Sequence, residues 1–115
     1  MRHLKKNRKF GRVKNQRKAL LKHLAYSFIL NDKIKTTEAK AKSLRPIVEK
    51  FITRSKNKNL ANRRFLASHL SSLAVKKLFD VIGEKYKDKN GGYTRIIKLP
   101  PRSSDGAKMA LIEFV

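Results

Sequence analysis

The stretch KNGGYTRIIK, Lys89 to Lys98, separates two architectures. A nucleotide-binding loop needs glycines that let several backbone N–H groups converge on one anion, with a strand before it and a helix after it. Here the order is reversed. Beyond Gly92 the chain alternates Tyr93, Thr94, Arg95, Ile96, Ile97, Lys98 and Leu99 and then meets Pro100-Pro101, which reads as a strand entered from a turn. Gly91-Gly92 is therefore a turn, and the chain's positive charge needs another explanation.

Downstream of the strand comes a Pro/Ser/Asp/Gly loop, Pro100 to Gly106, and then a last strand, Met109 to Val115. The two strands make an antiparallel hairpin with a long tip. Upstream, Ser72 to Ile82 carries Ala74, Val75, Leu78, Phe79 and Ile82 at helical spacing, with Gly83 as its stop. A second short helix runs from Leu60 to about Leu70, capped by Asn59, after a loop at Lys56 to Asn59. Before it, Thr36 or Thr37 caps a longer helix whose buried stripe is Ala41, Leu44, Val48 and Phe51, and Glu38 lies in its first turn where the helix dipole favours a carboxylate. Pro46 inside this run removes one backbone hydrogen bond and predicts a bend.

Lys33 to Thr37 reads as a short strand. The helix ahead of it starts at Gln16 and ends at Asn31-Asp32, with Leu20, Leu21, Leu24, Ala25, Phe28 and Ile29 on one side and Lys14, Lys18 and Lys22 along another. Residues 1–15 hold too few apolar side chains to bury and are expected to be a disordered basic arm, leaving residues 16–115 as one globular domain. The expected fold class is α+β. Its order is helix, strand, three helices and two strands, with a small three-stranded mixed sheet packed against helices on one face.

Composition narrows the partner. Among 115 residues, 30 are Lys or Arg and 8 are Asp or Glu, a formal charge of +22 that destabilises a free compact domain unless a polyanion or salt screens it. Residues 1 to 31 contain ten Lys or Arg and no acid, the first carboxylate being Asp32. An organelle transit peptide is Ser-rich, whereas Ser27 is the single serine of that stretch, and the apolar run Leu24 to Leu30 is far shorter than a bilayer needs. We therefore expect a soluble cytoplasmic protein with no membrane partner. The absence of cysteine excludes disulfides and thiolate metal sites.

No catalytic site is legible. His3, His23 and His69 have no second ligand at a metal-binding spacing, and the eight carboxylates are scattered singly, most of them beside Lys or Arg, so Glu49 next to Lys50 and one turn from Arg45 reads as an ion-pair residue. No cofactor, metal or small-molecule substrate is expected. The basic residues do form a pattern. They comprise Arg2, His3, Lys5, Lys6, Arg8, Lys9 and Arg12 of the arm, Lys14, Arg17, Lys18 and Lys22 of the first helix, and further along Lys40, Arg54, Lys56, Arg63, Arg64, Arg95 and Arg102. A solvated charged surface carries interspersed acids, which the first thirty-one positions lack. Phe10 and Tyr93 are placed to stack on bases or to pack against protein.

These features point to nucleic acid without separating its kinds. No recognition helix with a base-reading set stands out, and the arm suits a DNA minor groove as well as an RNA fold. A basic arm on a charged body fits a large irregular RNA, so composition leans mildly to RNA. A free basic DNA-binding architectural protein is the other reading.

Several stretches resemble the bacterial large-subunit ribosomal protein family seventeen: MRH at the start, RKAL at Arg17 to Leu20, IKTTEAKAKSLRPIVEKFITRSK at Ile34 to Lys56, KKLF at Lys76 to Phe79, IG at Ile82-Gly83, NGGYTRIIKL at Asn90 to Leu99 and MALIEFV at Met109 to Val115. Gln16 stands where many members have His, Pro101 replaces the more usual Gly before Arg102, and the sequence stops at the last strand without a tail. The resemblance implies the same helix, strand, three-helix, two-strand order. It also implies a non-enzymatic structural protein bound to large-subunit ribosomal RNA, with neighbouring large-subunit proteins near the polypeptide exit region.

Overall fold

A computed structural model describes Phe10 and residues 13–115. Arg2, His3, Lys5, Lys6, Arg8, Lys9 and Arg12, all expected to meet RNA, lie outside the described residues, as does most of the expected arm. Helix α1 runs Lys14–Asn31, two residues ahead of the expected start. It ends at Asp32, which takes a left-handed backbone (φ 67°) and donates its N–H to the Phe28 carbonyl at 2.8 Å. That reversal feeds directly into β1 (Lys33–Thr37).

Thr37 closes β1 and caps α2 (Glu38–Ser55), its hydroxyl accepting the Lys40 N–H at 3.4 Å, with Glu38 in the first turn and on Lys42 at 2.9 Å. The helix runs unbroken through Pro46. Its predicted stripe, Ala41, Leu44, Val48 and Phe51, is buried, joined by Ile52 and by Ser55, whose hydroxyl donates to the Ile52 carbonyl at 2.7 Å. Helix α3 (Leu60–His69) begins as expected at Asn59, which accepts from the Asn62 N–H at 2.8 Å.

The next segment differs from expectation at Gly83. Helix α4 (Ser72–Lys77), capped by Ser71, passes into a π-helical turn at Leu78–Ile82, and Gly83 continues as the start of α5 (Gly83–Lys85) with φ −59°. Gly83 is not a stop. A Cβ at this position would lie 2.8 Å from the Ser55 carbonyl oxygen and 2.9 Å from that of Leu78, so glycine is there to let the segment pass close to the end of α2. The helical turn ends at Tyr86 instead, which is buried and donates its hydroxyl to the Val115 carbonyl at 2.7 Å.

Strands β2 (Thr94–Leu99) and β3 (Met109–Phe114) form the expected hairpin. The sheet is antiparallel throughout, ordered β1-β3-β2, and not mixed. The reason is which strand takes the centre. β3 (MALIEF) buries Ala110 and Ile112 completely and tolerates neighbours on both sides, whereas β2 exposes Arg95 and Lys98 and suits an edge. β1 and β2 are thus parallel to each other but separated by β3. One face, bearing Ile34, Ile96, Ala110, Ile112 and Phe114, packs on α1 and α2. Phe114 stacks on Phe28 of α1 with centroids 4.4 Å apart. The other face turns Ile97 and Arg95 outward, so the helices cover a single side as expected.

Candidate nucleic-acid interface

Gly91 and Gly92 have φ of 128° and 63°, values that glycine adopts freely and that reverse the chain into β2. The turn is held from α2. Lys56 Nζ donates to the Lys89 carbonyl and, at 3.0 Å, to the Tyr93 hydroxyl, and Glu49 Oε2 accepts both the N–H (3.2 Å) and the hydroxyl (3.1 Å) of Thr94. Burial pushes the Tyr93 hydroxyl up, but the Lys56 and Thr53 hydrogen bonds and the Lys56 charge outweigh it and lower its pKa. Tyr93 is core, 1 % exposed and tilted on Tyr86, and not a stacking platform for bases.

The charge is segregated. Neither α1 nor α3 contains a carboxylate, and six of the protein's eight acids are in ion pairs on other elements: Glu38 and Glu49 of α2, Glu84 of α5, Asp32 and Asp105 of the loops and Glu113 of β3. Lys14, Lys18 and Lys22 stand exposed one turn apart on α1, with no ion pair among the described residues. Helix α2 adds Lys50 and Arg54 at i, i+4, and α3 adds Arg64.

Where these helices meet, a cleft of about 350 Å³ opens, lined by Lys18, Leu21, Lys22, Ile47, Lys50, Phe51, Phe65 and His69. Its floor is aromatic and its rim is cationic. Phe65 meets Phe51 edge-on at 6.3 Å and His69 at 4.7 Å, the Arg54 guanidinium lies 4.0 Å over the Phe65 ring, and Lys50 Nζ is 5.5 Å from it. Desolvation lowers the His69 pKa from its usual 6.5, and Lys22, Lys50 and Lys18 lower it further, so the imidazole is neutral at pH 7.

The remaining sequence-derived residues fall elsewhere. Lys56 is turned inward onto the Gly91-Gly92 turn ahead of β2. Arg95 pairs with Glu113 at 2.7 Å on the outer sheet face, and Arg102 grips Asp105 through Nε (2.9 Å) and Nη2 (2.8 Å) in the hairpin tip. Arg63 covers Phe79 at 4.7 Å, Lys40 and Arg17 are half-buried, and Phe10 is half-buried with a left-handed backbone (φ 53°). Sequence reasoning passed over Lys50 and Phe65 as contributors. Their signals were present in the Lys50–Arg54 spacing and in an aromatic directly after Arg63-Arg64, but both are also ordinary helix-surface patterns. Among the described residues, no group of three His, Asp or Glu is placed to hold a metal, and no helix is long and apolar enough to cross a membrane.

Residues 20–115 match a family profile described as ribosomal protein L17. The chain is 51% identical over 116 residues to the large ribosomal subunit protein bL17 of Sphingopyxis alaskensis, covering 100% of this chain and 84% of that protein. It is 52% identical over 109 residues to the protein of the same name from Caldanaerobacter subterraneus subsp. tengcongensis (94% and 97% covered), and 49% identical over 116 residues to that from Shouchella clausii (93% and 97% covered).

Proposed function

The chain belongs to the ribosomal protein L17 family, and from that membership we propose that it is a structural constituent of the large ribosomal subunit in the bacterial cytoplasm. It binds large-subunit ribosomal RNA without catalysing a reaction and supports subunit assembly and translation. Its neighbours are other large-subunit proteins, near the polypeptide exit region. The observation that carries the RNA-binding part is the segregation of charge. A fold that leaves α1 and α3 free of carboxylates, while Glu38, Glu49 and Glu84 on α2 and α5 are each tied up in ion pairs, presents cations whose attraction for phosphates is little cancelled locally. The α1 lysines, Lys50, Arg54 and Arg64 lead that set, and the seven basic arm residues Arg2 to Arg12 extend it in sequence. Arg95 and Arg102 reach RNA only with their carboxylate partners attached.

Sucrose-gradient sedimentation of lysate from cells carrying a tagged copy tests the reading. The protein is expected in the large-subunit and whole-ribosome fractions, retained through moderate salt. Sedimentation with the nucleoid, sensitive to deoxyribonuclease, would identify a free DNA-binding architectural protein instead.

A further inference from the structure

The cleft between α1, α2 and α3 is more than part of a charged surface, because a cationic surface needs no aromatic floor. Phe65 and His69 are both only half-buried and line the cleft, with Leu21 and Ile47 as apolar walls. Every ionisable group lining it is basic: three ammonium groups at the rim and one imidazole at the floor. No lining carboxylate repels an anion. The volume, about 350 Å³, lies at the lower end of the range that holds small ligands.

We propose that this cleft receives one unstacked nucleotide of a folded RNA, its base seated against Phe65 and His69 and its flanking phosphates met by Lys18, Lys22 and Lys50. The inference rests on the ribosomal RNA reading above and names the place where that RNA is gripped by more than charge. Chemistry selects this occupant over an apolar helix of a neighbouring protein. Such a helix would fill the floor but leave three ammonium groups without counter-charge, whereas a nucleotide brings a planar apolar face and anions together. The Arg54 guanidinium lies 4.0 Å over one side of the Phe65 ring and fixes its orientation at the cleft. The neutral His69 keeps the floor uncharged and leaves one ring nitrogen free to accept from a base edge.

The test uses the full chain assembled into large subunits, with large-subunit ribosomal RNA as the probe. Ultraviolet irradiation at short wavelength, then nuclease and protease digestion and mass spectrometry, is expected to find a nucleotide adduct on the peptide containing Phe65 or His69. In parallel, Phe65→Leu, which keeps a bulky apolar side chain and is checked for an unchanged melting temperature, should lower RNA affinity about fivefold or more. It should leave the salt dependence of binding as it was, since no cation is removed. Subunits that contain the protein but yield adducts only elsewhere, with Phe65→Leu binding like the parent, would overturn base insertion and leave the ribosomal reading standing. So would lysine-directed crosslinking that joins Lys22 or Lys50 to another protein while Phe65 carries no adduct. A chain that binds no large-subunit RNA and enters no subunit would overturn the ribosomal reading and this inference with it.

Discussion

Glu49 Oε2 accepts both the backbone N–H and the hydroxyl of Thr94, at 3.2 and 3.1 Å, across 45 residues of sequence. One carboxylate of α2 thereby fixes the first residue of β2, just past the Gly91-Gly92 turn, and Thr94 is only 2 % exposed. The accompanying Arg45 contact, at 3.8 Å with both side chains partly exposed, adds little by comparison. Glu49→Ala leaves two buried donors without an acceptor and is expected to cost roughly 1–3 kcal/mol. Thr94→Val removes only the hydroxyl and should cost less. Urea denaturation midpoints measure both, and equal midpoints for Glu49→Ala and the parent would show that the contact contributes nothing.

Gly83 offers a test of sign. In an exposed helix interior, Gly→Ala stabilises by about 1 kcal/mol. Here the added methyl meets two backbone carbonyls at 2.8 and 2.9 Å, neither of which can swing aside as a side chain would. Gly83→Ala should therefore destabilise, by roughly 1–3 kcal/mol, through overpacking. A raised melting temperature would mean that α2 and the α4–α5 segment separate at no cost.

Removing charge should separate binding from folding. Changing Lys14, Lys18 and Lys22 together to Gln is expected to keep the melting temperature or raise it, by relieving like-charge repulsion. The same variant should flatten the log-log salt dependence of RNA affinity by about 2 to 3 units. Deleting residues 1–12, which carry six Lys and Arg, should flatten it by up to about 5 units. By contrast, Phe28→Ala, which empties a fully buried site stacked on Phe114, should cost about 3–5 kcal/mol and fail by unfolding. Filter binding across a salt series, beside thermal melts, distinguishes the two modes.

His69 should titrate below 6.5, first because it is partly desolvated and then because Lys22, Lys50 and Lys18 face it. Proton NMR of its ring reads this directly. Since the unfolded chain takes up the proton first, the His69 contribution leaves stability undiminished above pH 6.5 and reduces it progressively as the pH falls below that value. Lys22→Gln with Lys50→Gln should move the titration partway back upward. A midpoint unchanged in that variant would assign the shift to burial alone.

The hairpin tip carries a carboxylate counterpart. Asp105 is lowered from 3.8 to about 2, first by the hydrogen bond from Arg102 and then by the Ala107 N–H. Its contribution to the loop is complete above pH 3.8 and is lost as the pH falls through about 2. Carbon NMR of the Asp105 carboxyl should show that midpoint, and Arg102→Gln should return it most of the way to the ordinary range.

Features that depend on neighbours along the chain can be read from the residues alone. Caps at Thr37 and Asn59, the exit from α1 at Asp32, the Gly91-Gly92 turn and the alternation of β2 are local devices. Each is legible because one residue type satisfies one backbone requirement within a few positions. The acid-free stretch to residue 31 is likewise legible in the residues, and on it rests the proposal of a polyanion partner. Other features exist only once distant segments meet. Gly83 reads as a helix stop until Ser55 is seen pressed against it, and β3 takes the middle of the sheet because Ala110 and Ile112 on its inward face are buried there. Arg95 and Arg102, equal to Lys18 and Lys22 in sequence, differ from them because folding places carboxylates beside the first pair and none beside the second. Phe65 and Lys50 become one site with α1 only where three helices converge, and no spacing along a single helix encodes that convergence.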